Sequence, residues 1–238
     1  MQFPPFSLIV TAAGTSERFR NSSPDGTTGK KEFALLDDRT VLYHALLPFT
    51  SVPSLKQIIV TYPEGMKDEC ELALDNLLYA FQVPVSLVPG GKDRQESVRN
   101  ALEHLGGYEN AGEYVAIHDG ARPFVSLELI IRTIATATVV GGAIPGVTIH
   151  DAVKRVDEGG FIVGGVDRTG LTAVQTPQVF RFPDILTCHQ AAADAKKTYI
   201  DDSEIFTDHG YQVAICEGDP DNFKITTKED LDLGRKMV

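Results

Sequence analysis

The sequence predicts an α/β fold: a mostly parallel, twisted sheet with helices on both faces and one projecting β-hairpin. Three observations carry that expectation. Short apolar runs alternate with longer amphipathic stretches along most of the chain. The alternation breaks once, over residues 147–171, into polar and apolar pairs around the turn signal Asp157-Glu158-Gly159-Gly160. At 238 residues and 42% apolar content, the chain is long enough to bury one large core.

The apolar runs at 6–12, 57–62, 83–88, 114–118 and 142–145 read as buried parallel strands. Helical patterns lie between them at 41–49, 66–81, 95–105 and 127–138, with Ser126 as N-cap of the last. Helices are expected again at 183–195 and 203–209, then a strand at 212–216 and a final helix opened by Thr227. Repeated β-α-β units imply a doubly wound sheet with right-handed crossovers. We expect a single domain over residues 1–238, with the segment 147–172 inserted as a β-arm. A hairpin cannot bury an apolar face alone, so the arm is expected to pack against a second copy of the chain.

Composition excludes several classes. A formal net charge of −11 disfavours a nucleic-acid-coating surface, so any phosphate site must be locally basic. No uncharged apolar run reaches membrane-spanning length, and the start MQFPPFSLIV lacks the basic region and cleavage site of a secretory signal. A cytoplasmic chain with no membrane partner is therefore expected. Cys70, Cys188 and Cys216 lack any metal-ligand spacing and read as reduced, buried thiols.

Ligands of doubly wound sheets sit beyond the carboxyl ends of strands, which singles out the segments after Ala12, Val88 and His118. The first is Ala12-Ala13-Gly14-Thr15-Ser16-Glu17-Arg18, small residues that let backbone N–H groups approach a triphosphate, followed by a cation. It is neither a P-loop, which would need Gly at Pro24 and Ser or Thr at Lys31, nor a dinucleotide fingerprint, which fails at Ser16 and Phe19. Lys30-Lys31-Glu32-Phe33 follows a polar stretch at 21–29, and Arg18 with one of these lysines is suited to close over a triphosphate. In Gly90-Gly91-Lys92-Asp93-Arg94-Gln95-Glu96-Ser97, the glycines free backbone groups for a flat base edge and Ser97 supplies a hydroxyl. In His118-Asp119-Gly120-Ala121-Arg122, the carboxylate suits a ribose hydroxyl or Mg2+, and Arg122 suits a second phosphate. Each segment alone also fits an ordinary strand-to-helix turn.

Taken in order with Val166-Asp167-Arg168, Gln175-Thr176-Pro177-Gln178 and Asp221-Asn222-Phe223-Lys224-Ile225-Thr226, these motifs resemble the 2-C-methyl-D-erythritol 4-phosphate cytidylyltransferase family over nearly the whole chain. The resemblance implies a Rossmann-like nucleotidyltransferase fold, a homodimer interlocked by the arm, and an Mg2+-dependent transfer of CMP from CTP in isoprenoid precursor synthesis. It makes Arg18, Lys31 and Lys224 the catalytic cations. The nucleotide falls to Ala12, Ala13, Gly14, Thr15, Gly91, Lys92, Ser97, Asp119 and Gly120. Asp119 is also the metal candidate, beside the CTP phosphates. Arg122, Asp151, Thr176 and, from a neighbouring subunit, Arg168 are implied for the polyol phosphate.

Three departures from the family pattern stand out. The stretch from Arg18 to Lys31 is several residues longer. The glycine usual two residues after Gly14 is Ser16, which requires that this position avoid positive φ. The usual Asp-Thr of the arm is Asp151-Ala152, so a hydroxyl near the acceptor is missing. This keeps a ribitol 5-phosphate cytidylyltransferase as the alternative, with a catalytically inactive nucleotide-binding relative behind it.

Overall fold

A computed structural model describes residues 3–22, 29–75, 77–80 and 82–238. Half of the stretch expected to form a loop between Arg18 and Lys31, residues 23–28, lies outside the described residues. In chain order the elements are β1 (Phe6–Thr11), α1 (Glu17–Asn21), α2 (Val41–Leu46), β2 (Leu55–Tyr62), α3 (Lys67–Leu74), α4 (Leu77–Ala80), β3 (Val85–Pro89), α5 (Arg94–Gly106), β4 (Tyr114–Asp119), α6 (Leu127–Val140), β5 (Gly142–Thr148), β6 (Lys154–Val156), β7 (Ile162–Gly165), β8 (Thr172–Val174), β9 (Gln178–Arg181), α7 (Phe182–Asp194), α8 (Asp202–Asp208), β10 (Ala214–Glu217) and α9 (Lys228–Gly234).

The main sheet has the order β10-β5-β9-β4-β1-β2-β3, with β8 pairing the far end of β5. The strands β3, β2, β1 and β4 are mutually parallel, and β10 runs parallel to β5. The central strand β1 reads FSLIV without alternation because both of its faces are covered. Phe6, Leu8 and Val10 pack with Leu42 and Leu46 of α2, Leu74 of α3 and Ile130 and Ile134 of α6. Ile9 faces the other way, among Val98 and Leu102 of α5, Ile185 of α7 and Phe206 of α8. Helices thus cover both faces, as expected. Ser126 caps α6 by accepting from Leu129 N at 3.2 Å, and Thr227 caps α9 in a capping box with Asp230.

The structure differs from the sequence reading in three places, two of them with local causes. The helix expected over 66–81 stops at Leu74, because Asp75 takes φ 46° and turns its carboxylate onto Arg39. The helix expected over 41–49 tightens after Leu46 into a 3-10 turn, Leu47–Ser51, containing Pro48, which has no N–H to continue the α pattern. The strand β9 was not expected. It inserts antiparallel between β4 and β5 and separates the two parallel groups.

The hairpin is present as β6 and β7, paired antiparallel apart from the main sheet. Its turn is set by Asp157, whose Oδ1 accepts from the N–H groups of Gly159 and Phe161, and by Gly160 at φ 81°. Among the described residues, no helix is long and apolar enough to cross a membrane.

Candidate functional site

The register of the sheet brings the candidate segments together. Thr11, the last residue of β1, pairs with Asp119, the last of β4, and with Thr61 of β2. The loops after β1, β3 and β4 therefore open at one edge, as the strand-end rule requires. Close packing there explains two glycines. A Cβ on Gly90 would stand 2.2 Å from Ala13 Cβ and 2.9 Å from Ser97 Oγ, and one on Gly120 would stand 3.0 Å from Thr11 O. Together these loops enclose a cleft of about 260 Å3, walled by Ala13, Gly14, Thr15, Arg18, Lys31, Arg94, Ser97, Asp119 and Lys224.

Asp119 is the electrostatic centre. Its Oδ2 lies 2.8 Å from Lys224 Nζ and 3.6 Å from Arg122 Nε, and its Oδ1 lies 3.3 Å from Arg94 Nε. Burial by itself raises a carboxyl, but the Lys224, Arg94 and Arg122 cations outweigh it and hold Asp119 well below the usual carboxylate range. Lys31 Nζ donates to Ile225 O at 2.9 Å from the opposite wall. Burial pulls its ammonium below the ordinary lysine value; Glu32 opposes the shift, and Lys224 adds to it. The cleft thus holds more positive than negative charge in a chain of net charge −11.

Behind Asp119 lies a hydrogen-bonded chain. Asp119 N donates to Thr176 Oγ1 at 3.0 Å, and the Thr176 hydroxyl lies 2.9 Å from His118 Nδ1. His118 Nε2 lies 3.2 Å from Arg122 O, which can only accept, so Nε2 carries the proton and Nδ1 accepts from Thr176. Burial pushes the fully enclosed His118 down to about 4, so its imidazole is neutral at pH 7.

Of the sequence candidates, Ala13, Gly14, Thr15, Arg18, Lys31, Ser97, Asp119 and Lys224 line the cleft. Ala12 and Gly120 lie beneath it; Ala12 N is spent on Thr61 O at 3.1 Å. Gly91 does not line it; its N–H donates at 3.0 Å to the Oγ of Ser97, which does. Arg122 is anchored by Asp119 and by Asn222 O at 2.7 Å. Lys92 turns away and lies with His189 and Lys196 beside α7. Asp151 and Arg168 lie outside the cleft, exposed at the base of the hairpin, where the Arg168 guanidinium donates to the carbonyls of Ile149, His150 and Asp151.

Two features escaped sequence reasoning. Arg94 bridges Asp119 to Asp202 of α8, its Nη1 2.7 Å from Asp202 Oδ2, while His189 Nε2 lies 3.2 Å from Asp202 Oδ1. Burial works against the charged Arg94, but Asp202 and Asp119 outweigh it and raise the guanidinium above its ordinary value. The sequence does place Arg94 in the loop motif after β3, directly after the N-cap Asp93, but gives it no role of its own. The second feature corrects an expectation: Ser16 does adopt positive φ, at 56°.

A mostly parallel sheet whose strand-end loops enclose a cationic cleft around one carboxylate defines the class of Rossmann-like nucleotidyltransferases. Comparison with known proteins gives the particular branch. The chain belongs to the 2-C-methyl-D-erythritol 4-phosphate cytidylyltransferase family, whose model, IspD, matches residues 6–238. It is 38% identical to the enzyme of that name from Clostridium beijerinckii, over 98% of this chain and 97% of that one. It is 35% identical to the one from Alkaliphilus metalliredigens, over 98% and 92%. The crystal structure of a 4-diphosphocytidyl-2C-methyl-D-erythritol synthase from Anaerococcus prevotii superposes with a TM-score of 0.78 at 25% identity, covering 98% of this chain and 96% of that one.

Proposed function

We propose that the chain transfers CMP from CTP to 2-C-methyl-D-erythritol 4-phosphate, forming 4-diphosphocytidyl-2-C-methyl-D-erythritol and releasing pyrophosphate. The observation that carries this is the charge layout of the cleft, with Arg18 and Lys31 on one wall and the Lys224–Asp119–Arg94 network on the other. An oxygen of the polyol phosphate attacks the α-phosphorus of CTP in line, and pyrophosphate leaves from the opposite side. No protein nucleophile is needed, so positioning and charge stabilisation carry the acceleration. Arg18 and Lys31 neutralise the triphosphate as charge builds on the leaving group. Lys224, fixed by Asp119, adds a cation at the reacting phosphate, and Arg122, fixed by the same carboxylate, holds the acceptor phosphate.

Ser97 supports selection of cytosine. Its hydroxyl proton goes to Asp93 O at 2.7 Å, and one lone pair accepts from Gly91 N. What remains is an acceptor, which suits the exocyclic amine of cytosine and repels the carbonyl of uracil. Mg2+ fits the site as the partner of one carboxylate plus substrate phosphates, with Asp119 as the protein ligand. When bound, it would neutralise phosphate charge. Among the described residues no cluster of His, Cys, Asp or Glu forms a metal cage, so the phosphates would supply most of its oxygens.

The same proposal reads residues 1–238 as one nucleotidyltransferase domain with the segment 147–172 as its arm, and the working form as a homodimer. The exposed Phe161, Ile162 and Val163 on the hairpin support a second copy as their cover, with Arg168 reaching the partner's cleft. Cytoplasmic residence is proposed with it, supported by three free, buried thiols. The test is pyrophosphate release with CTP and Mg2+, offering methylerythritol phosphate and ribitol 5-phosphate in parallel and UTP as control donor. Turnover with methylerythritol phosphate and CTP alone is the expected result. Turnover confined to ribitol 5-phosphate would move the acceptor assignment, and silence with both would overturn it.

A further inference from the structure

Ser16 is held in an unusual way. It occupies the N-cap of α1 in the left-handed region, at φ 56° and ψ 28°, which side chains with a Cβ rarely adopt. A serine at an N-cap normally turns its oxygen back to accept a helix N–H. Here no such bond forms, and the hydroxyl donates across the cleft floor to Glu32 Oε2 at 3.1 Å. Glu32 is only 4% exposed, a carboxylate buried in the wall of the cleft and, unlike Asp119, without a close cationic partner among the described residues. Burying it there costs free energy unless a specific contact compensates. Its other oxygen lies 4.0 Å from Lys31 Nζ.

The two residues belong to different pieces of the site. Ser16 ends the loop that carries Gly14 and Thr15 and starts the short helix that carries Arg18. Glu32 follows Lys31 in the 3-10 turn Lys31–Phe33. We infer that Ser16 and Glu32 form a clasp that keeps the phosphate loop in its left-handed turn and joins it to the turn bearing Lys31, making both of them positioning residues. This rests on the proposed CMP transfer. Neither residue need touch the substrate: the clasp acts by fixing where Arg18 and the loop N–H groups stand relative to Lys31.

A left-handed serine needs the clasp, and a glycine in its place would not. The test is therefore a mutant cycle in which Glu32→Ala, Ser16→Gly and the double variant are compared with the parent. Glu32→Ala is expected to lower kcat/KM for CTP about tenfold, the scale of one strained backbone conformation left unsupported. The KM for the polyol phosphate should be unchanged. Ser16→Gly alone, and Ser16→Gly with Glu32→Ala, should both stay within about threefold of the parent, because glycine removes the need for the bond. Glu32→Gln should behave like the parent, since its amide oxygen still accepts from Ser16.

If Glu32→Ala is equally damaging in both backgrounds, or if Glu32→Gln is as poor as Glu32→Ala, the clasp is wrong and Glu32 acts through its charge. Should Glu32→Ala fail to fold, Ser16→Ala against Ser16→Gly asks the same question; only the alanine should lose activity, and equal losses would overturn the clasp. The cycle is also read by thermal unfolding, which does not depend on what the cleft turns over. A parent that releases no pyrophosphate while positions 16 and 32 couple in Tm would sink the transfer reading and keep the clasp. A parent that turns over with additive variants would do the reverse.

Discussion

The cleft at the ends of β1 and β4 and the hairpin of β6 and β7 differ in how far the chain satisfies its own chemistry. In the cleft the central groups are tied together: Asp119 to Lys224 and Arg94 from distant elements and to nearby Arg122, Lys31 to Ile225 O, and His118 to Thr176 and Arg122 O. In the hairpin the backbone is paired and the turn is braced by Asp157, yet Phe161 is 74% exposed and Ile162 67%. One region is organised before any ligand arrives. The other presents apolar surface that only another surface can cover. Substitutions should therefore affect chemistry in the first region and association in the second.

The largest effect is expected in the cleft. Lys31→Ala or Arg18→Ala should lose about a hundredfold to a thousandfold in turnover, the usual cost of removing one preorganised cation or donor, roughly 3 to 4 kcal/mol. Thermal melts should show the variants folded. A variant within a few fold of the parent would mean that the cleft's preorganised charge is not what accelerates the reaction.

Next in size is the acid sensitivity that the buried chain behind Asp119 confers. His118 is lowered from 6.5 to about 4, so its neutral form is favoured by folding. Stability from this group is complete above pH 6.5, declines as pH falls toward 4, and amounts to about 3 kcal/mol over that window. Asp119, also lowered, keeps its contribution until the pH falls below the ordinary carboxylate range. Denaturant melts from pH 7 to 4 should show the loss, and His118→Asn should flatten the profile. An unchanged slope in the variant would assign the acid sensitivity elsewhere.

A third test addresses how closely the two nucleotide loops must fit. Gly90→Ala adds a Cβ 2.2 Å from Ala13 Cβ, and neither backbone has room to yield without moving a loop. Overpacking of this kind costs about 1 to 3 kcal/mol. The damage should appear as a raised KM for CTP, with the KM for the polyol phosphate largely kept. A rise in both together would show that the β3 loop supports the whole cleft rather than the nucleotide half.

How much of this the sequence carried also differs between regions. Buried parallel strands such as β1 were legible because both faces are covered and the run FSLIV shows it directly. The hairpin was legible from its turn residues. Four-residue β9 was not, since nothing local distinguishes an antiparallel insertion from a connecting loop. In the cleft, Asp119, Arg18 and Lys31 could be read because strand ends and loop cations announce themselves. Arg94 was missed because its meaning lies in Asp202, which only the packing of α8 against the sheet brings near. Ser16 was misjudged for a related reason: its tolerance of positive φ depends on Glu32, a contact that no local pattern encodes.

The smallest effect on folding, and the sharpest test of the comparison, belongs to the hairpin. Phe161→Ser removes an aromatic side chain that touches little within its own chain, so the stability of the isolated fold should move by less than about 0.5 kcal/mol. If a second copy covers the hairpin, the same substitution removes a buried phenyl group from each of the two copies, worth about 1.5 to 3 kcal/mol apiece. The association constant should then fall roughly a hundredfold to ten-thousandfold. Light scattering across a dilution series reads the association, and pyrophosphate release at the same concentrations reads the activity. Activity that falls together with the dimer would support a contribution from Arg168 across the interface, since Arg168 lies away from its own chain's cleft. A monomeric variant with full activity would confine the chemistry to one chain and leave the hairpin as a means of assembly alone.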